Sequence, residues 1–253
     1  LGFEKSDMDD EKIPFPPEDF MRLVCGGNDP NVAEHFIWAG KLVTAMLRDE
    51  KMILPDTCFL DVGCGCGRVA RYLMNMPLQS YTGFDRHSGM IQWCRQEITP
   101  LAPHFIFHCF EIKSVYSQTD GEYGKIEADD FCFPFADNSF DAALLASVFT
   151  HMPLKESAHY LYELYRVVKP GGKILLSVFF SDREPYRENA NFYYDSKEFL
   201  KMVGASGFDY RFRETLYQHN WYILSKQIKP FEKYHYYILA QDLRAYCRKQ
   251  DFG

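Results

Sequence analysis

Apolar and polar positions along this chain recur in blocks whose period shifts between two and three-to-four, the signatures of strands and helices. Between residues 30 and 50, Phe36, Ile37, Leu42, Val43, Met46 and Leu47 fall largely on one helical face. Asp29-Pro30 reads as that helix's start, an acidic N-cap with proline in the first turn. Leu60-Asp61-Val62 suits a strand end, and Val69, Leu73 and Met76 then return at helical spacing. Tyr81–Asp85 predicts a second short strand, Met90, Ile91, Cys94 and Ile98 the next helix, and 104–111, alternating aromatic and polar residues, a third strand. A buried strand is expected over Ala142–Val148, followed by a helix carrying Leu161, Leu164, Tyr165 and Val168 that Pro170-Gly171-Gly172 ends. The nearly continuous apolar run Ile174–Phe180 suits a strand covered on both faces. Beyond it, Ser196–Val203 reads as a helix ended by Gly204, Phe208–Tyr222 as a sixth strand and Gln241–Lys249 as a seventh. Residues 1–19 read as a polar arm punctuated by Pro14, Pro16 and Pro17; the arm reaches residue 28, and one α/β domain fills 29–253.

Chemistry concentrates after the first strand. Gly63, Gly65 and Gly67 stand at every second position, preceded by Asp61 and followed by a helix. Such a loop turns sharply, lets a ligand approach the backbone and aims amides into the crevice where open α/β sheets bind nucleotides. The spacing differs from the dinucleotide fingerprint Gly-x-Gly-x-x-Gly. Asp85, ending the second strand, can accept both hydroxyls of a ribose.

Two further stretches complete a pattern. Phe133-Pro-Phe-Ala-Asp-Asn-Ser-Phe-Asp141 leads into the strand and on to Ser147-Val-Phe-Thr-His-Met152, and a helix, a Lys-Pro-Gly-Gly turn and a strand follow over Leu161–Phe179. With Leu60–Gly67 and Asp85, these resemble the class I, Rossmann-like S-adenosylmethionine-dependent methyltransferases, in particular bacterial small-molecule members, over roughly residues 30–250. The resemblance implies a three-layer α/β/α sandwich on a seven-stranded, mostly parallel, doubly wound sheet with one antiparallel strand. It implies S-adenosyl-L-methionine as cofactor and S-adenosyl-L-homocysteine as product.

By the same resemblance Asp61, Gly63, Cys64, Gly65, Gly67, Asp85 and Ser147 are cofactor-binding candidates. Arg86 stands where an apolar residue usually packs on adenine, and its aliphatic stem can serve in that place. Either Glu111, at the third strand's end, or Asp129, before the Phe-Pro-Phe turn, meets the adenine edge; residues 113–128 then form an insertion between them. Arg22, on the arm, is a candidate partner for the methionine carboxylate. His151, at the carboxyl end of the strand after Ala142, is read as a general base for an oxygen acceptor or as a cap of the following helix. Acceptor specificity is expected in the N-terminal arm and helix and in the loop near 181–195, through Tyr186, Phe192 and Tyr193, with His219 reaching in from the sixth strand. O-methylation of a natural product or sugar is favoured, with nitrogen and carbon acceptors left open. A non-catalytic cofactor-binding partner subunit is the second reading. A nicotinamide oxidoreductase is disfavoured by the glycine spacing and the Lys-Pro-Gly-Gly pattern.

Composition narrows the partners. With 253 residues, 47% hydrophobic, a core of good size is available, and no apolar run approaches the ~20 residues of a membrane span. A net charge of −7 argues against tracking a nucleic-acid backbone. The eight cysteines show no Cys-x-x-Cys pair, and a metal at Cys64 and Cys66 would block the glycine loop, so reduced packing cysteines, no metal and a cytoplasmic location are expected. The acidic start, Leu1–Asp10, lacks a signal peptide's apolar core. Seventeen tyrosines and 22 phenylalanines leave room for exposed aromatic surface, at a homodimer contact or a large acceptor site.

Overall fold

The computed structural model describes residues 14–27, 29–115 and 124–228. The chain divides into two compact units, Leu1–Phe110 and Glu111–Gly253.

In the first unit, α1 (Glu18–Cys25) and α2 (Val32–Asp49) precede β1 (Cys58–Val62), α3 (Ala70–Leu73), β2 (Ser80–Asp85), α4 (Ser88–Glu97) and β3 (Phe105–Cys109). The strands pair in parallel in the order β3-β2-β1, with Asp61 opposite Gly83 and Gly83 opposite Phe107. Phe59, Leu60, Tyr81, Phe84 and Phe105 are buried, as alternating apolar segments require. Two expectations change here. The arm contains a helix, α1, whose buried residue is Met21. The long helix starts at Val32 with Asn31 at its N-cap, because Asp29 instead accepts the Asn31 amide at 2.8 Å in a local turn.

In the second unit, β4 (Phe140–Leu145) leads through a 3₁₀ turn, Phe149–His151, into α5 (Leu154–Val167) and β5 (Val168–Phe180). Then come β6 (Tyr186–Glu188), β7 (Asn191–Tyr194), α6 (Ser196–Ala205), β8 (Phe208–Leu216) and β9 (His219–Lys226). β4 and β5 are parallel, and β9 is antiparallel to both β5 and β8. This is the α/β, mostly parallel architecture expected. All five residues Ile174–Val178 are at 0% exposure, which is what a strand covered on both faces demands.

The elements differ from the sequence reading in several places; one is α6, which runs through Gly204 to Ala205, the left-handed glycine after it being Gly207 (φ 88°). α5 ends at Val167, not at the proline: Val168 is extended and already pairs with Phe140, since the residues just before Pro170 are turned away from helix. Phe208–Tyr222 is not one strand but most of a hairpin, turning at Tyr217-Gln218, both at positive φ (48° and 69°). The segment 181–195 is not an irregular loop; β6 and β7 form a small hairpin there, and β7 continues parallel to β5 with Phe179 opposite Tyr193. The seventh strand read at Gln241–Lys249 lies outside the described residues. No helix among the described residues is long and apolar enough to cross a membrane.

Candidate functional site

In the first unit, β1 runs into the loop with Gly63, Gly65 and Gly67 all at positive φ. The amides of Gly63 and Cys64 donate to the Phe84 carbonyl at 2.8 and 3.0 Å, pinning the loop to the end of β2. The Gly65 amide donates to Asp85 Oδ2 and the His87 amide to Asp85 Oδ1, both at 2.9 Å. A carboxylate has about four lone-pair sites, so each clamped oxygen keeps capacity for a further donor. A Cβ on Gly65 would meet Val24 Cγ1 at 2.8 Å: α1 lies against the loop. It is held there by Arg68 Nη1, which donates to the Val24 carbonyl at 3.0 Å, and by Phe20 edge-on to the His87 ring at 5.3 Å. Gly67 serves packing, because its Cβ would meet Ile98 Cδ1 at 2.5 Å.

The other candidates of this unit lie around that loop. Asp61 is 3% exposed and its Oδ2 accepts the Tyr81 hydroxyl at 2.6 Å, which braces β1 against β2. Burial pushes its carboxyl up to about 7. Burial likewise pushes the Cys64 thiol up, so it packs rather than reacts. Arg86 is half-buried, with its carbonyl 3.7 Å from Cys109 Sγ. Arg22 spends its guanidinium on Glu18 Oε1, 3.0 Å from Nε, and on the Asp29 carbonyl, 3.1 Å from Nη1.

In the second unit, Glu111 is exposed and paired with Lys125 at 2.7 and 2.9 Å. The insertion is closed at its neck by the Ile112–Ile126 bridge, where a Cβ on Gly124 would strike the Ile112 carbonyl carbon at 2.1 Å. Asp129, beyond that neck, is more enclosed and pairs with Lys155 at the start of α5. Burial, with Asp129 and Glu127 adding repulsion, pushes neighbouring Glu156 up to about 7.

At the carboxyl end of β4, Ser147 takes a left-handed φ of 64°. Two hydroxyls fix that turn: the Ser147 amide donates to Ser177 Oγ at 2.8 Å, and its carbonyl accepts from Thr150 Oγ1 at 2.8 Å. The turn delivers His151, whose Nδ1 donates to the Ala190 carbonyl at 3.0 Å. A carbonyl only accepts, so the neutral ring carries its proton on Nδ1 and its lone pair on Nε2. Burial lowers the pKa of this imidazole. His151 does not cap α5, where Pro153 holds the N-cap position and no side chain bonds.

Three of the four acceptor candidates meet in one aromatic column. Tyr186 stacks on Tyr193 at 4.4 Å, Tyr193 on Phe179 at 5.2 Å, and Phe179 lies 4.6 Å from the His219 ring. Tyr186, 49% exposed, is its open end. Phe192, one position along β7, faces the opposite way and stands against the Arg187 guanidinium at 5.3 Å, outside the column. Phe179 and Ser177 are participants that periodicity hides inside an apolar strand. Ser177 left one trace: it is the lone polar residue in Ile174–Phe180, and a buried hydroxyl needs partners.

Comparison with known proteins bears on both units. The model of a methyltransferase domain matches residues 60–176, from the glycine loop to β5. Over those residues the chain is similar to a methyltransferase domain. The cofactor of such domains is S-adenosylmethionine, and the Asp85 carboxylate, held by two amides with accepting capacity left on each oxygen, fits a ribose diol. Over 120 residues, 47% of this chain, the sequence is 31% identical to the sterol 24-C-methyltransferase erg-4 of Neurospora crassa. Over 168 residues, 65% of this chain, it is 30% identical to a 2-methyl-6-phytyl-1,4-hydroquinone methyltransferase of Synechocystis. The chain spans 27% of the first protein's length and 46% of the second's. The fold is similar to that of the magnesium protoporphyrin IX methyltransferase ChlM from Synechocystis PCC 6803 with bound SAM: TM-score 0.56, 17% identity, covering 83% of this chain and 90% of that one.

Two consequences for the methyltransferase domain can be measured. Gly65→Ala forces a Cβ into Val24 and a side chain into left-handed backbone, which costs roughly 1–2 kcal/mol before the clash is counted. Titration calorimetry is expected to show at least about a tenfold loss of cofactor affinity; wild-type affinity would mean that α1 moves away freely. Asp61 keeps its proton to about pH 7 in the fold, whereas in the unfolded chain it loses it near 4. Its stabilising contribution is therefore complete below about pH 4 and is lost as pH rises through about 7. Asp61→Asn, which still accepts from Tyr81, is expected to flatten that decline in urea-unfolding midpoints taken between pH 5 and 8. An unchanged slope would place the decline elsewhere.

Proposed function

We propose that this chain transfers the methyl group of S-adenosylmethionine to a hydroxyl oxygen of a small, ring-bearing acceptor lying against the Tyr186–Tyr193–Phe179 column. The observation that carries the reading is His151, a half-buried imidazole of lowered pKa whose Nδ1–H is committed to the Ala190 carbonyl, so that the lone pair lies on Nε2, where a base needs it. When bound, the cofactor supplies a methyl carbon activated by a sulfonium. With the cofactor bound, the acceptor oxygen would take that methyl carbon and leave the sulfur as a thioether, and the hydroxyl proton would pass to His151 Nε2. The aromatic column holds the acceptor ring flat, and restricting it in this way is itself a large part of the rate. Asp85, held by the Gly65 and His87 amides, accepts from the ribose hydroxyls.

A sterol and a phytyl hydroquinone, the acceptors in the two relatives' names, are ringed and largely apolar, which agrees with an aromatic wall. The test is transfer of isotope-labelled methyl from S-adenosylmethionine into a panel of hydroxylated ring compounds, with the attachment atom read by NMR. Carbon-attached methyl throughout would remove the oxygen assignment, and no transfer with intact cofactor binding would favour a cofactor-binding partner subunit.

A further inference from the structure

Ser177 is fully buried, and its oxygen accepts the Ser147 amide at 2.8 Å. Its own proton then needs an acceptor, because a buried hydroxyl left without one forfeits about 1–3 kcal/mol. Among the described residues the group opposite that proton is His219 Nδ1, at 3.3 Å. A hydroxyl donates only to a ring nitrogen that bears no proton. The neutral His219 ring therefore carries its proton on Nε2, the reverse of His151.

The two rings belong to the same edge of the second unit. His151 follows the carboxyl end of β4. His219 precedes Asn220, which pairs with Val178 at the carboxyl end of β5, and its ring ends the aromatic column on Phe179. One edge thus carries two imidazoles of opposite tautomer, with the Nε2 lone pair on His151 and the Nε2 proton on His219.

We infer that His219 is the hydrogen-bond donor of the acceptor site and that Ser177 is the positioning residue that sets its tautomer. The matching ligand class is an acceptor with a second, hydrogen-bond-accepting oxygen, a carbonyl or a further hydroxyl, near the hydroxyl to be methylated. The role of His219 toward an acceptor rests on the methyl-transfer reading; the tautomer pair does not.

The experiment is a long-range ¹H–¹⁵N correlation of the histidine rings in the full, ¹⁵N-labelled chain, held well above the ordinary histidine pKa of about 6.5. His219→Gln and His151→Ala assign the signals. The expected spectrum has His219 protonated on Nε2 and His151 on Nδ1. Ser177→Ala is expected to move His219 to a tautomer mixture and to leave His151 protonated on Nδ1, since the Ala190 carbonyl is untouched. Wild-type His219 protonated on Nδ1 would overturn the inference. So would both rings changing together in Ser177→Ala, which would make Ser177 a general support of the edge. If Ser177→Ala does not fold, the wild-type spectrum decides alone. Failure of methyl transfer with the expected tautomers would count against the function and leave this pair standing.

Discussion

Asp85→Ala is expected to weaken S-adenosylmethionine binding by about 100-fold or more. Hydrogen bonds to a charged group are worth about 1.5–3 kcal/mol each, and two ribose hydroxyls lose theirs together, which at about 1.4 kcal/mol per decade gives that factor. The same change strands the Gly65 and His87 amides, each of which donates to this carboxylate at 2.9 Å. Both amides are only part-buried and can turn to water, so the fold should survive with a modest loss. Calorimetric titration gives the affinity and urea unfolding the stability, and the two must be read together. A folded variant with wild-type affinity would remove Asp85 from the cofactor site. Asp85→Asn sharpens the test: it keeps the shape but turns an N–H₂ against one of the clamping amides, so it too should bind far more weakly than wild type.

The parts of this site that were legible in the sequence are those in which local backbone needs and ligand chemistry coincide. Three alternating glycines followed by an acid at the next strand end have few other uses, and the structure makes Asp85 the acceptor of the glycine loop's own amide. The regular strands and helices followed from period alone. What stayed hidden was set by partners distant in sequence. Tyr217-Gln218 carries none of the usual Asn-Gly chemistry of a two-residue hairpin turn, so one long strand was read where two fold back on each other. α1 is short, and its place is fixed by contacts to Gly65, Arg68 and His87, so its own pattern read as an arm. That Asp61 is held by Tyr81, across the β1–β2 pairing, is not readable from its place before the glycines. Phe179 and Ser177 sit within a strand whose apolar run is fully explained by burial, and only the opposing strands reveal that one ends an aromatic column and the other joins Ser147 to His219.

Glu111 and Asp129, the two acids read for the adenine edge, stand in different surroundings. Glu111 continues directly from β3, which favoured it as the acid at the adenine edge. Ile112 and Ile126 pair in a β-bridge, and Asp129 follows three residues after Ile126. Glu111 is turned to Lys125 in solvent, where an ion pair contributes little, whereas Asp129 is enclosed beside Lys155 and Glu156.

His151→Ala is expected to slow methyl transfer by about 10²–10⁴-fold, the range that a positioned general base supplies, while cofactor affinity stays within about twofold. The pH profile identifies the base more sharply than the rate does. Burial lowers the His151 pKa below its ordinary value, so the ring is neutral and competent at pH 7. Activity should therefore be flat through neutral pH and fall only as pH drops through that lowered pKa, when Nε2 takes up a proton and can no longer accept the acceptor's. The acid limb should lie below the ordinary histidine value of about 6.5 and should vanish in His151→Ala. Because the Ala190 carbonyl holds Nδ1–H, displacing the β6–β7 turn would free the ring to reorient, and the limb would shift toward the ordinary value even with His151 intact. A rate loss of less than about threefold, or an acid limb that persists in His151→Ala, would show that this imidazole ties the β6–β7 turn to the end of β4 and leaves the proton to another group.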